Sequence, residues 1–133
     1  MSEKLTVSGI VATTPRHLVT QNGLPITTFR LATSQQKFDV EQNKWVAGDT
    51  NWYTITTLRQ MAMNIAQCVS KGDRLLVVGR VKVNDWDNGE RSGINIEIEA
   101  ESVGHDLAWG KSVYTRTVLA RDVIETPPPV YEF

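Results

Sequence analysis

The spacing of apolar residues changes period twice between Trp52 and Val83, and this limits the fold more than any other feature of the chain. Ala62, Ile65, Ala66 and Val69 fall at i, i+3, i+4 and i+7. That stripe marks one amphipathic helix, and Gly72 is placed to end it. On both sides the pattern is that of strands. Trp52 to Leu58 is rich in β-branched and aromatic residues, and Leu75, Val77, Gly79, Val81 and Val83 share one face of a later segment. Further on, Ile94, Ile96, Ile98 and Ala100 alternate strictly with Asn95, Glu97, Glu99 and Glu101. Thr6 to Ala12 and Ile26 to Thr33 supply two more strands, the second after an Asn22-Gly23 turn. Pro15-Arg16-His17 reads as a loop, and Asp85 to Gly89 as a turn. Ser34 to Asn51 is polar and broken by Gly48-Asp49, so it reads as a long loop or an extended hairpin.

Three strands, a helix and two strands is the order of an all-β OB-fold, a five-stranded Greek-key barrel with one helix between strands 3 and 4. A ferredoxin-like α+β domain needs a second helix, and the sequence between the second and third strands offers none. The 133 residues suit one domain. We expect the barrel over residues 1–108 and a C-terminal extension over 109–133.

Little in the chain suggests chemistry. Cys68 lies beside the helical stripe, where a free cysteine usually serves as a small buried hydrophobe. His17 and His105 have no spacing that makes them a base for Cys68 or, with it, a zinc site. No glycine-rich phosphate cradle is present. Glu97, Glu99 and Glu101 read as a solvated edge or subunit contact more readily than as a metal site. The expectation is a protein with no catalytic residues, metal or cofactor. The lone cysteine, the absence of a membrane-length apolar run and the lack of a signal-peptide core point to a cytoplasmic setting.

The informative pattern is parity. With odd positions apolar up to Val83, Arg80 and Lys82 point to the opposite face, joined by Asn84 and Trp86 if the alternation continues. On the strand before the helix, Tyr53 and Ile55 take one face while Trp52, Thr54, Thr56 and Leu58 take the other, with Arg59 just beyond. Arg30 lies opposite Phe29 and Leu31. The polar segment adds Lys37, Phe38, Lys44 and Trp45, and Arg91 follows the turn after Trp86. Aromatics interleaved with cations suit single-stranded nucleic acid, because every base offers a π-face and every nucleotide a phosphate. Trp109 falls after the barrel strands and reads as packing. The formal net charge of −1 hides an asymmetry, +3 over residues 1–93 and −4 over 94–133. From the residues alone the reading stops at an OB-like domain suited to nucleic acid. An RNA-binding domain and an assembly subunit that binds nucleic acid poorly remain alternatives.

Over roughly residues 5–108 the chain resembles the bacterial single-stranded DNA-binding protein family. The likeness rests on Phe29-Arg30-Leu31-Ala32-Thr33-Ser34, on Asn51-Trp52-Tyr53 and on the run from Lys71 to Lys82. The stretches Trp45 to Tyr53 and Val103 to Gly110 resemble actinobacterial members in particular. The resemblance implies sequence-independent binding of single-stranded DNA in replication, recombination or repair, by a homotetramer built as a dimer of dimers. It implies base stacking by Trp52 and Trp86. Leu58 stands where many members have a stacking phenylalanine, and Phe38 lies near a further aromatic position. Family members commonly end in an acidic tip that recruits other enzymes. Here Thr126 to Phe133 keeps the terminal phenylalanine with Glu132 beside it but lacks the acidic cluster, which places recruitment in doubt. Ser112 to Val118 is β-favouring, and its two readings are an added strand that clamps neighbouring subunits, as in some actinobacterial relatives, and a disordered tail.

Overall fold

A computed structural model of the protein describes residues 3–118. Strands β1 (Lys4–Val11), β2 (Arg16–Val19), β3 (Pro25–Asp39) and β4 (Lys44–Leu58) precede helix α1 (Arg59–Cys68), and β5 (Arg74–Asp87) and β6 (Ser92–His105) follow it. The sheet order is β1-β5-β6-β4-β3-β2, and a further β1–β3 pairing at Ile10↔Ala32 and Val11↔Leu31 closes the ring. Neighbours are antiparallel except β4 and β6, which run parallel through Thr54↔Glu97, Ile55↔Ile98 and Thr56↔Glu99. This is the OB barrel expected from the periodicity, with the helix after the strand ending in Leu58.

The barrel is filled by the residues whose parity pointed inward. Phe29 and Leu31 from β3, Ile55 from β4, Leu75 and Val77 from β5 and Ile98 from β6 are all buried, with Val7 and Val11 from β1. Ala62, Ile65 and Val69 close one end beneath the helix, whereas Ala66 of the same stripe is exposed. The helix begins without a side-chain cap, and Arg59, its first residue, has φ 60°, a conformation unfavourable for a residue with a Cβ. Its stability therefore comes from packing rather than from its ends. It stops at Cys68, earlier than Gly72 suggested; Gly72 instead turns the chain toward β5 with φ +97°. Under the helix, the buried Thr27 hydroxyl donates to the Ala62 carbonyl at 2.7 Å. That uses its only hydrogen, so its 2.7 Å contact with His17 Nδ1 requires the imidazole to donate.

Several expectations are corrected. Residues around His17 form a sixth strand, β2, rather than a loop, because Leu18 and Val19 continue a ladder with Ile26 and Pro25 across the Gly23 turn. Ser34 to Asn51 adopts the hairpin form of its two readings, since β3 and β4 each run for 15 residues. Val83 and Ile94 hold inward parity yet are 59% and 67% exposed, because β5 and β6 project past the barrel as an arm and leave the core behind. Cys68 is exposed rather than a buried hydrophobe. The glutamates do not mark an edge, since β6 lies between β5 and β4. Trp109 packs at the surface, not in the core: 65% exposed, its ring centroid lies 3.9 Å from the Arg74 Cζ.

Candidate nucleic-acid interface

Cross-strand partners share a face, so the ladders carry one surface from strand to strand. Arg30 pairs with Thr54, Ala32 with Trp52, Thr28 with Thr56, and Ile26 with Leu58. Through the parallel ladder that face continues onto Glu97 and Glu99, and from there onto Lys82, Arg80, Asn84 and Trp86. The structure thus brings Arg30, Trp52, Leu58, Arg80, Lys82 and Trp86 onto one outer face of the barrel, although they come from three strands.

Each tryptophan on this face has a local cause for its pose. Trp52 is 51% exposed, with the Arg30 guanidinium 5.8 Å from its ring centroid, within reach of a cation–π contact. Trp86 is 46% exposed and stands opposite Gly93. A Cβ built on Gly93 would meet three indole atoms at 2.7 to 2.8 Å, so the indole lies across the bare glycine backbone. About half of the residue stays open to solvent.

A bulge brings a third tryptophan to the same side. Between Ser34↔Thr50 and Gln36↔Ala47 the register shifts, and β4 spends the two residues Gly48 and Asp49 against one on β3. The shift reverses parity along the outer part of β4. Odd-numbered Trp45 therefore pairs with Phe38, and their rings meet edge to face, 5.4 Å between centroids at 67°. Lys37 pairs with Val46 and takes the other side of this hairpin. Arg59 lies at the helix start and Arg91 in the exposed turn between β5 and β6, where its amide donates to Asn88 Oδ1 at 2.7 Å. The ladders place Lys37 off the shared face, and Arg59 and Arg91 belong to no strand.

The glutamates that the sequence reading set aside occupy the middle of the face. Glu97 accepts from the Thr56 hydroxyl at 2.8 Å and from the Asn84 amide at 3.2 Å. Glu99 lies 3.5 Å from Arg80, and Glu101, the extra residue of a register shift opposite Val78 and Gly79, lies 3.7 Å from Arg80 and 3.0 Å from Lys4. Parity had placed these carboxylates on one strand face. What it lacked was the β4–β6 pairing, made between strands far apart in sequence, that puts Glu97 and Glu99 on the same face as the tryptophans. Away from this face, partial desolvation of the otherwise exposed Cys68 and the nearby Asp73 carboxylate raise its thiol above its usual pKa. Among the described residues no three His, Cys, Asp or Glu side chains gather as a metal site, and no helix is long and apolar enough to cross a membrane.

An OB barrel with a broad face of aromatics and cations, flanked by two projecting hairpins, defines a nucleic-acid-binding module. Residues 2–106 match the Single-strand binding protein family, and the chain belongs to that family. It is 48% identical over 112 residues to single-stranded DNA-binding protein 2 of Tropheryma whipplei strain Twist, covering 84% of this chain and 74% of that one. Against single-stranded DNA-binding protein 1 of Streptomyces coelicolor it is 40% identical over 121 residues, covering 91% and 76%. The crystal structure of a small single-stranded DNA-binding protein from Streptomyces coelicolor superposes with a TM-score of 0.74 at 37% identity, covering 82% of this chain and 98% of that one. The likeness to actinobacterial members expected from the sequence is met by these relatives.

Proposed function

We propose that this protein binds single-stranded DNA, coating it without chemistry and largely without regard to sequence, in replication, recombination or repair. The observation that carries the reading is the common face of Trp52 and Trp86, each about half exposed, with Arg30, Arg80 and Lys82 on that same face. Bases stack on the two indoles and on the Phe38–Trp45 pair, while Leu58 gives apolar contact between them. Arg30, Arg80 and Lys82 take phosphates across the barrel, and Arg59, Arg91 and Lys37 do so where the strand leaves it. Stacking and phosphate contacts both ignore base identity, so affinity and breadth arise together. Anisotropy of a labelled oligo(dT), compared with a duplex of equal length, tests this. Tight binding to the single strand and weak binding to the duplex is the expected result, and equal binding to both contradicts it.

The reading extends to a homotetramer built as a dimer of dimers. Two features support it. Leu5 to Gly9 ladders only with β5 among the described residues, leaving an open strand edge. Beyond the DNA face, the outer surface of β1, β5 and β6 carries Thr6, Ser8, Leu76, Val78, Ser102 and Gly104, with Leu76 half exposed and no charge among them. The extension from residue 109 joins this assembly, because Val113 and Tyr114 are fully displayed and suit a strand added to a neighbouring subunit. Within its own protomer, Lys111 to Val118 forms no helix or strand and meets α1 at Asn64–Thr117, 3.1 Å. The residues at Thr126 to Phe133 lie outside the described part. Leu76→Glu should reduce the mass seen by light scattering to that of a smaller species, and an unchanged tetramer would remove this surface from the assembly.

A further inference from the structure

The outer face is not flat toward the helix end of β4, farther along the strands than the two tryptophans. A hollow of about 260 Å³ opens there, lined by Thr56, Leu58, Arg80, Lys82, Glu97 and Glu99. Pockets for drug-sized ligands start at roughly 300 Å³, so this one suits a single planar ring system such as a nucleobase. Its lining is not what stacking or phosphate binding alone requires. Leu58 supplies one apolar wall, and donors and acceptors stand side by side on the others.

The two carboxylates differ in what they have left to give. Glu97 has both oxygens engaged, one by Thr56 and one by Asn84. Among the described residues Glu99 is held only by Arg80, at 3.5 Å, through one oxygen. Lys82 forms no ion pair among the described residues, although it stands opposite Glu97 in the ladder. The hollow therefore presents a carboxylate able to accept two parallel hydrogen bonds, next to an ammonium able to donate.

We infer that this hollow receives one base of the bound strand and favours guanine there over thymine, with Glu99 as the specificity-determining residue. The inference rests on the single-stranded DNA reading above and adds a bias to it. Guanine's pairing edge carries two adjacent donors, N1–H and the 2-amino group, beside the O6 acceptor. Glu99 takes the two donors and Lys82 donates to O6. Thymine offers one N–H flanked by two carbonyls, so a carboxylate that accepts from it must also face a carbonyl oxygen. Carboxylates in nucleic-acid complexes read amino donors for this reason, and bidentate contacts discriminate where single ones do not.

The test uses the full chain and three oligomers of equal length: all thymidine, guanosine at every third position in thymidine, and the same with inosine for guanosine. Inosine is a purine that stacks as guanine does but lacks the 2-amino group, so it separates the carboxylate contact from stronger purine stacking. Binding is read by anisotropy at fixed salt. The guanosine oligomer should bind roughly fivefold tighter than the thymidine one, the lower end for a bidentate contact on a half-open surface, and inosine should lose most of that gain. Glu99→Gln should bind all-thymidine DNA more tightly, because one of the two carboxylates that hold Arg80 back from phosphate loses its charge, while its guanosine preference disappears. Glu101→Gln, which removes a neighbouring charge outside the hollow, should keep the preference. Equal affinity of the wild-type protein for all three oligomers would overturn the inference, as would a preference that survives in Glu99→Gln or vanishes in Glu101→Gln. Failure to bind any of the three would instead overturn the single-stranded DNA reading itself.

Discussion

The two hairpin arms that flank the barrel carry tryptophans by opposite means. On the β3–β4 arm, a bulge at Gly48 and Asp49 turns Trp45 to meet Phe38, so two aromatics hold each other away from the barrel. On the β5–β6 arm, Trp86 has no aromatic partner among the described residues and lies across the backbone at Gly93, with Asn84 next to it on the same face. The first arrangement tolerates movement, because an edge-to-face pair can shift while keeping contact. The second fixes one ring in one pose, on the strand that also carries Arg80 and Lys82. Stacking strength should therefore concentrate on the β5–β6 side and on Trp52, with the Phe38–Trp45 arm adding a smaller, adaptable share.

That ranking can be broken. Trp86→Ala should weaken oligo(dT) binding by about 2 kcal/mol, within the range for loss of one stacked base, and Trp52→Ala by a similar amount. Retained affinity in either would return that ring to a structural role. Gly93→Ala should cost less, about 1 kcal/mol, because its Cβ displaces the indole without removing it. An effect equal to that of Trp86→Ala would mean that the pose is everything, and no effect would mean that Trp86 binds from another position. Trp45→Ala should lose only about 1 kcal/mol, the low end of the stacking range. A loss larger than that of Trp86→Ala would invert the comparison of the arms. The smallest effect at a single salt concentration belongs to Arg80→Ala, since Glu99 and Glu101 already share that guanidinium. Its signature is instead a fall of about 0.7 in the slope of log affinity against log salt, the share of one phosphate on a single strand. An unchanged slope would show that the carboxylates never release Arg80 to DNA.

Much of this was legible in the chain, and the parts that were not share a physical cause. Periodicity identified the helix and the barrel strands, because both depend on local spacing. Strict parity placed Trp52, Arg80, Lys82 and Trp86 on the outer side, because β4 near Trp52 and β5 near Lys82 keep their register. It could not place Trp45, whose side depends on a bulge that one extra residue creates. Nor could it place Glu97 and Glu99 on the face that carries the tryptophans, since that follows from a parallel pairing of strands far apart in sequence. Val83 and Ile94 show the same limit from another direction. Their alternation is that of core residues, but whether a strand still lies over the core when it reaches them is a matter of length and curvature, not of local pattern.

The central claim is that one face, carrying Trp52 and Trp86, meets the bases. Intrinsic tryptophan fluorescence titrated with oligo(dT) over several salt concentrations reads that face directly. Strong quenching that saturates at low salt, weakens as salt rises and falls by a large share in the Trp52→Ala and Trp86→Ala proteins is the predicted result. Emission that stays unchanged at saturating oligo(dT) and low salt would contradict it.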